Sequence, residues 1–102
     1  MGTTVKVADV KDLPPGKATC VQIDGQKVAV FNVQGTYYAV GDTCTHRGGP
    51  LSGGSVQGAV VTCPWHGARF DLATGKNMSL PAPAAVPCYR VAISGEEIRI
   101  EV

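Results

Sequence analysis

Apolar residues along this chain recur at alternate positions in short runs, and Gly, Pro, Asn and Asp separate the runs. TVKVADV (4–10) alternates as a first strand, and DLPPG behind it is a stop, because proline has no N–H to give a ladder. KATCVQI (17–23) and KVAVFNV (27–33) flank Asp24-Gly25, which predicts a hairpin turn. Gly35 marks the next turn and leads into the aromatic strand TYYAV. SVQGAVVTC (55–63) reads as one strand, and ARFDLATGK (68–76) as a hairpin with Thr74-Gly75 at its tip. CYRVAI (88–93) and EIRIEV (97–102) form a closing pair joined at Ser94-Gly95. The pattern predicts an all-β chain of roughly eight to ten short strands. Pro81, Pro83 and Pro87 make the segment 77–87 a stiff surface loop. No repeat or low-complexity tail breaks the chain, so residues 1–102 are expected to form one domain, with a small insertion at about 42–76.

Composition narrows the class. With 102 residues, 44% of them hydrophobic and 17% charged, the chain suits one small folded domain rather than a disordered one. A core of this size leaves little surplus stability, so a metal or cofactor clip would help. Nine Lys/Arg against eight Asp/Glu leave a net charge of +1 with no basic run. Nucleic-acid binding needs many cations on one surface, and none are gathered here. No stretch approaches the ~18 apolar residues of a membrane span, and MGTTVKVADVKD lacks the head and core of a secretory signal. A cytoplasmic location is expected, and with it four cysteines used for metal binding or burial rather than disulfides.

Both histidines and two of the cysteines fall in two stretches, CTHRGGPLSGG and CPWHGARFD. The spacing is Cys44-x-His46, sixteen residues, then Cys63-x-x-His66. Each stretch delivers one thiolate and one imidazole, which together make a four-ligand metal set. One candidate is a structural zinc. Against it, zinc knuckles usually open with two to four residues between ligands, and Gly48, Gly49, Gly53, Gly54 and Gly67 crowd these loops. Glycine lets backbone N–H groups turn toward concentrated negative charge, which a neutral zinc site needs less than inorganic sulfides do. The other candidate is a [2Fe–2S] cluster with two cysteines on one iron and two histidines on the other.

CTHRGGPLSGG with CPWHGARFDLATG resembles the Rieske iron–sulfur signature, in particular that of the small Rieske-type ferredoxins of bacterial aromatic-ring-hydroxylating dioxygenase systems. The likeness runs through DVKDLPPG (9–16), VAVFNVQGTYYAVGDTCTH and the tail VPCYRVAISGEEIRIEV, so it spans essentially the whole chain. It implies the Rieske fold: an antiparallel β-sandwich or barrel-like base carrying a small cluster-binding subdomain of two loops, at about 42–76. It implies one [2Fe–2S] cluster, with Cys44 and Cys63 on the buried iron and His46 and His66 on the outer iron. MSLPAP resembles the family's proline loop, which excludes water from the cluster.

The resemblance also bears on redox tuning. Quinol-oxidising members carry a disulfide between the two loops; the matching positions here are Gly49 and Trp65. They also place serine and tyrosine hydroxyls near the cluster, where this chain has Ala68 and Phe70. Fewer donors leave more electron density on the sulfurs and lower the potential. A centre toward the low end of roughly −150 to +300 mV is implied, which favours reduction by a flavoprotein over oxidation of quinol. Trp65 reads either as packing under its loop or as a surface aromatic for docking. Arg47 and Arg69 read as solvated charges or as docking groups. Asp42 and Asp71 read as turn residues bonding to backbone. Cys20 reads as a buried small hydrophobe, with a Cys20–Cys88 disulfide as the alternative. Phe31, Tyr37, Tyr38 and Tyr89 read as core or half-buried strand residues.

The function implied is a one-electron carrier, not an enzyme. It would take electrons from an NAD(P)H-dependent flavoprotein reductase and pass them to a terminal oxygenase of aromatic hydrocarbon catabolism. Docking should be transient, between a monomer and each partner in turn. The alternative is a small Rieske subunit of an assimilatory nitrite reductase-like complex. A catalytic oxygenase would need further histidines for a mononuclear iron site, and the chain has only two.

Overall fold

Val28, Ala29, Val30 and Phe31 are consecutive and all buried. Strand side chains alternate between two faces, so such a run requires cover on both. The computed structural model describes residues 4–23, 25–43, 50–64, 67–78 and 85–101. Among these residues are ten strands: β1 (Thr4–Asp9), β2 (Ala18–Ile23), β3 (Gln26–Val33), β4 (Thr36–Gly41), β5 (Ser55–Gln57), β6 (Val60–Thr62), β7 (Arg69–Asp71), β8 (Cys88–Tyr89), β9 (Val91–Ser94) and β10 (Glu97–Glu101). They pair antiparallel in three open sheets, ordered β2-β3-β4-β8, β1-β10-β9 and β5-β6-β7.

The central strand β3 divides its side chains between two cores. Val28 and Val30 join Leu13, Ala39, Ile98 and Ile100, under the sheet built from the chain ends. Ala29 and Phe31 join Val40, Leu51, Val61, Cys63, Ala68, Phe70, Leu72 and Val86, under the short-stranded sheet. The base is therefore a sandwich of open sheets; the described strands do not close into a barrel. At the β3–β4 turn Gln34 and Gly35 both have positive φ, the pair of values a type I′ turn demands. Asn32 supports it, its Oδ1 accepting the Gly35 N–H at 2.8 Å while its Nδ2 donates to the Leu13 carbonyl.

Three expectations change. The run 55–63 is two strands, not one, because Gly58 at φ +60° turns the chain between Gln57 and its partner Val60. The run 88–93 also divides. Cys88 and Tyr89 pair with β4, while Val91 onward pairs with β10, and the Arg90 carbonyl between them accepts the Glu101 N–H at 2.9 Å. The proline-rich segment is not wholly surface, since Val86 is 4% exposed and packs in the core beside Leu72. Phe31, Tyr37, Tyr38 and Tyr89 are buried or half-buried as expected. No helix among the described residues is long and apolar enough to cross a membrane.

Candidate metal centre

Cys63 follows directly on β6 and is 2% exposed. Its N–H donates to the Ala68 carbonyl at 2.7 Å, one step beyond the Thr62–Arg69 pair of the β6–β7 ladder. The second Cys/His stretch is thus closed at its base by a continuation of the β6–β7 ladder. Val61, Ala68, Phe70 and Leu72 surround Cys63 in the core. A bare thiolate in apolar surroundings is costly, and a bound metal cation offsets that cost. The burial of this sulfur suits a metal centre held from the protein side. Ala68 and Phe70 are fully buried next to it and bring no hydroxyl.

The first ligand stretch is closed at its base in the same manner. Thr43 and Pro50 form an antiparallel bridge, and the Leu51 N–H donates to the Asp42 carbonyl at 2.7 Å. Asp42 is buried, and its Oδ1 accepts the Ser52 N–H at 2.7 Å. Leu51, in a single 3-10 turn (Leu51–Gly53), inserts into the same core as Cys63. Two loops well apart in sequence therefore rest on one packed layer. Cys44, His46 and His66 lie outside the described residues, as do Arg47, Gly49 and Trp65. Among the described residues no group of three His, Cys, Asp or Glu comes together as a metal site.

A third segment borders the second loop. Phe70 bridges to Asn77, and the Met78 N–H donates to the Arg69 carbonyl at 2.8 Å. The chain returns where the Val86 N–H donates to the Gly75 carbonyl and the Gly41 N–H to the Pro87 carbonyl, each at 2.8 Å. Gly75 has φ +78°, and a Cβ there would press on the Val86 carbonyl. Most of the expected proline loop, 79–84, lies outside the described residues. Met78 is 53% exposed, an apolar side chain in the open beside the second loop.

Asp42 and Asp71 both bond to backbone as expected, the latter through Oδ1 to the Ala73 N–H at 2.8 Å. The expectation for Cys20 fails: the residue is exposed on β2, and its thiol is free, as is that of Cys88. Alternation misled here because β2 is an edge strand with one face only partly covered. The Cys88 thiol donates to the Ala73 carbonyl at 3.3 Å. Partial burial of the sulfur raises the pKa of both thiols, and the nearby carboxylates add to it, Asp42 for Cys20 and Asp71 for Cys88. Sequence reasoning missed that Asp42 closes the first loop twice. Its signal was an acidic residue two positions before Cys44, facing a serine two positions past Pro50.

The profile of the Rieske [2Fe–2S] domain matches residues 3–90. The biphenyl dioxygenase ferredoxin subunit of Pseudomonas sp. (strain KKS102) is 40% identical over 97% of this chain and 92% of its own length. Among solved structures, the ferredoxin of carbazole 1,9a-dioxygenase from Nocardioides aromaticivorans IC177 shares 34% identity at a TM-score of 0.90, over 96% of both chains. A chain in the complex of reduced oxygenase and oxidized ferredoxin of carbazole 1,9a-dioxygenase matches at 33% identity and TM-score 0.89, over 96% of this chain and 92% of that one. A nitrite reductase NADPH small subunit matches at 25% identity and TM-score 0.81, over 96% and 97%. The chain belongs to the Rieske [2Fe–2S] domain family. It is of the ferredoxin type, an electron-transfer protein with one [2Fe–2S] cluster rather than a catalyst. That cluster supplies reversible one-electron chemistry when bound.

Proposed function

We propose that this protein takes single electrons from an NAD(P)H-dependent flavoprotein reductase and delivers them to a terminal oxygenase, of the aromatic-ring-hydroxylating class. The observation that carries this reading is full-length similarity to a dioxygenase ferredoxin subunit, 40% identical across 97% of the chain. Cys44 and Cys63 hold one iron and His46 and His66 the other, within a single domain of residues 1–102 whose cluster-binding part spans about 42–76. The buried position of Cys63 and the sheet-like closure of both loop bases support that assignment. The carrier works in the cytoplasm as a monomer, because it must leave one partner to meet the next and so docks transiently. A permanent place in a nitrite reductase-like complex is the weaker reading, given the lower identity of the small subunit.

Reconstitution tests it. The cluster-loaded protein is mixed with flavoprotein reductases and NAD(P)H, then with terminal oxygenases and aromatic substrates, while cluster bleaching and hydroxylated product are followed. Reduction by a reductase and product formation dependent on this protein are expected. Reduction by quinol but by no flavoprotein would sink the proposal.

A further inference from the structure

Asp42 makes three hydrogen bonds at the base of the first ligand loop. Its N–H donates to the Lys27 carbonyl at 3.0 Å, anchoring it to β3. Its carbonyl accepts the Leu51 N–H and its carboxylate the Ser52 N–H, both at 2.7 Å. The residue is 4% exposed, so these bonds form where water competes little and a lost partner costs more. The outgoing chain, beyond Pro50, is thus bonded twice to the residue that opens the loop. Asp71 offers an internal contrast. It makes the same carboxylate-to-amide bond to Ala73, but in an exposed turn.

We propose that Asp42 is a positioning residue: its carbonyl and carboxylate together clasp the exit of the first loop at Leu51 and Ser52, holding Cys44 and His46 in place for the cluster. This rests on the assignment of Cys44 and His46 as ligands. The clasp works by accepting hydrogen bonds, so an amide in place of the carboxylate retains both of them and a methyl loses the one to Ser52. Leu51 links the clasp to the packing around Cys63, so that the two loops share one support.

The test compares cluster-loaded wild-type protein with Asp42→Ala and Asp42→Asn. Three readouts are hydrogen–deuterium exchange of the peptide spanning 50–54, the rate of cluster bleaching with an iron chelator, and the EPR spectrum of the reduced cluster. Asp42→Ala should speed exchange at Ser52 about tenfold, as expected for a lost bond near 1.4 kcal/mol, while Leu51, bonded to the retained main-chain carbonyl, changes less. It should also bleach severalfold faster and broaden the EPR lines, while Asp42→Asn restores wild-type behaviour in all three. Unchanged exchange in Asp42→Ala, or an Asp42→Asn variant as impaired as Asp42→Ala, overturns the proposal. Should Asp42→Ala not fold, the wild-type protein decides: the Ser52 amide must exchange far more slowly than the Ala73 amide, and equal rates overturn it. A Cys44→Ser variant that keeps its full cluster would instead defeat the ligand assignment and leave the exchange result standing.

Discussion

The two faces of β3 carry cores of similar burial and different construction. Toward the chain ends, Leu13, Val28, Val30, Ala39, Ile98 and Ile100 form an aliphatic layer beneath the three strands β1, β10 and β9. Toward the ligand loops, the partners come largely from three-residue strands, a 3-10 turn and a returning loop, and include Cys63, Ala68 and Phe70. The first layer needs only apolar volume. The second must also place a thiol and two loop bases, so its side chains serve stability and positioning together. Irregular backbone is tolerated there because every loop base is closed by main-chain bonds.

The largest effect expected is at the sulfur that this second core buries. Cys63→Ser should remove nearly all iron and acid-labile sulfide from the purified protein; a full complement would mean that Cys63 is not a ligand. Next comes a pair of truncations, one per core. Phe70→Ala should cost about 3–5 kcal/mol and Ile98→Ala about 2–5 kcal/mol in denaturant unfolding. Only Phe70→Ala should also alter the cluster's visible spectrum and potential. If Ile98→Ala shifts the potential equally, the two cores do not divide the work.

A smaller effect separates the loop-side backbone from the opposite end. Gly75→Ala meets the Val86 carbonyl as well as an unfavourable φ, whereas Gly95, at φ +61°, faces open space. Gly95→Ala should cost about 1–2 kcal/mol from the left-handed backbone alone. Gly75→Ala should lower the thermal midpoint further, and equal midpoints would show that the close approach to Val86 is without consequence. Ala68→Ser then asks what the missing hydroxyl does. It should raise the reduction potential measured by redox titration, within a family span of roughly −150 to +300 mV; a downward shift would contradict the donor argument.

The smallest effect is in pH. Cys20 and Cys88 have pKa values above the usual 9.0 in the folded protein. A group whose protonated form the fold favours adds stability below the unfolded pKa, and that contribution is lost as pH rises through the folded value. Stability should therefore fall slightly above pH 9, with urea midpoints at pH 8 and pH 10 as the check. Asp42→Asn removes the negative charge beside Cys20 and should speed its alkylation at pH 8 while leaving Cys88 unchanged.

Much of this was legible in the chain. The alternating runs located the strands, and the Gly35 and Ser94-Gly95 turns fall where expected, because turn chemistry acts within a few residues. Gly58 was legible too, but the long run around it read as one strand. Cys20 was misjudged because alternation reports which face a side chain takes, and not whether anything covers that face. The division of 88–93 was also out of reach, since the identity of a strand's partner is a long-range matter.

By itself, the order of residues determined the all-β class, the two Cys/His stretches and the absence of hydroxyls at Ala68 and Phe70. Those follow from local sterics and from which side chains exist at all. Only the tertiary structure decided that β3 is covered on both faces, that Cys63 is buried, and that Asp42 closes its loop through Leu51 and Ser52. Burial and hydrogen-bond partners depend on residues far apart in the chain, which meet only when the sheets stack.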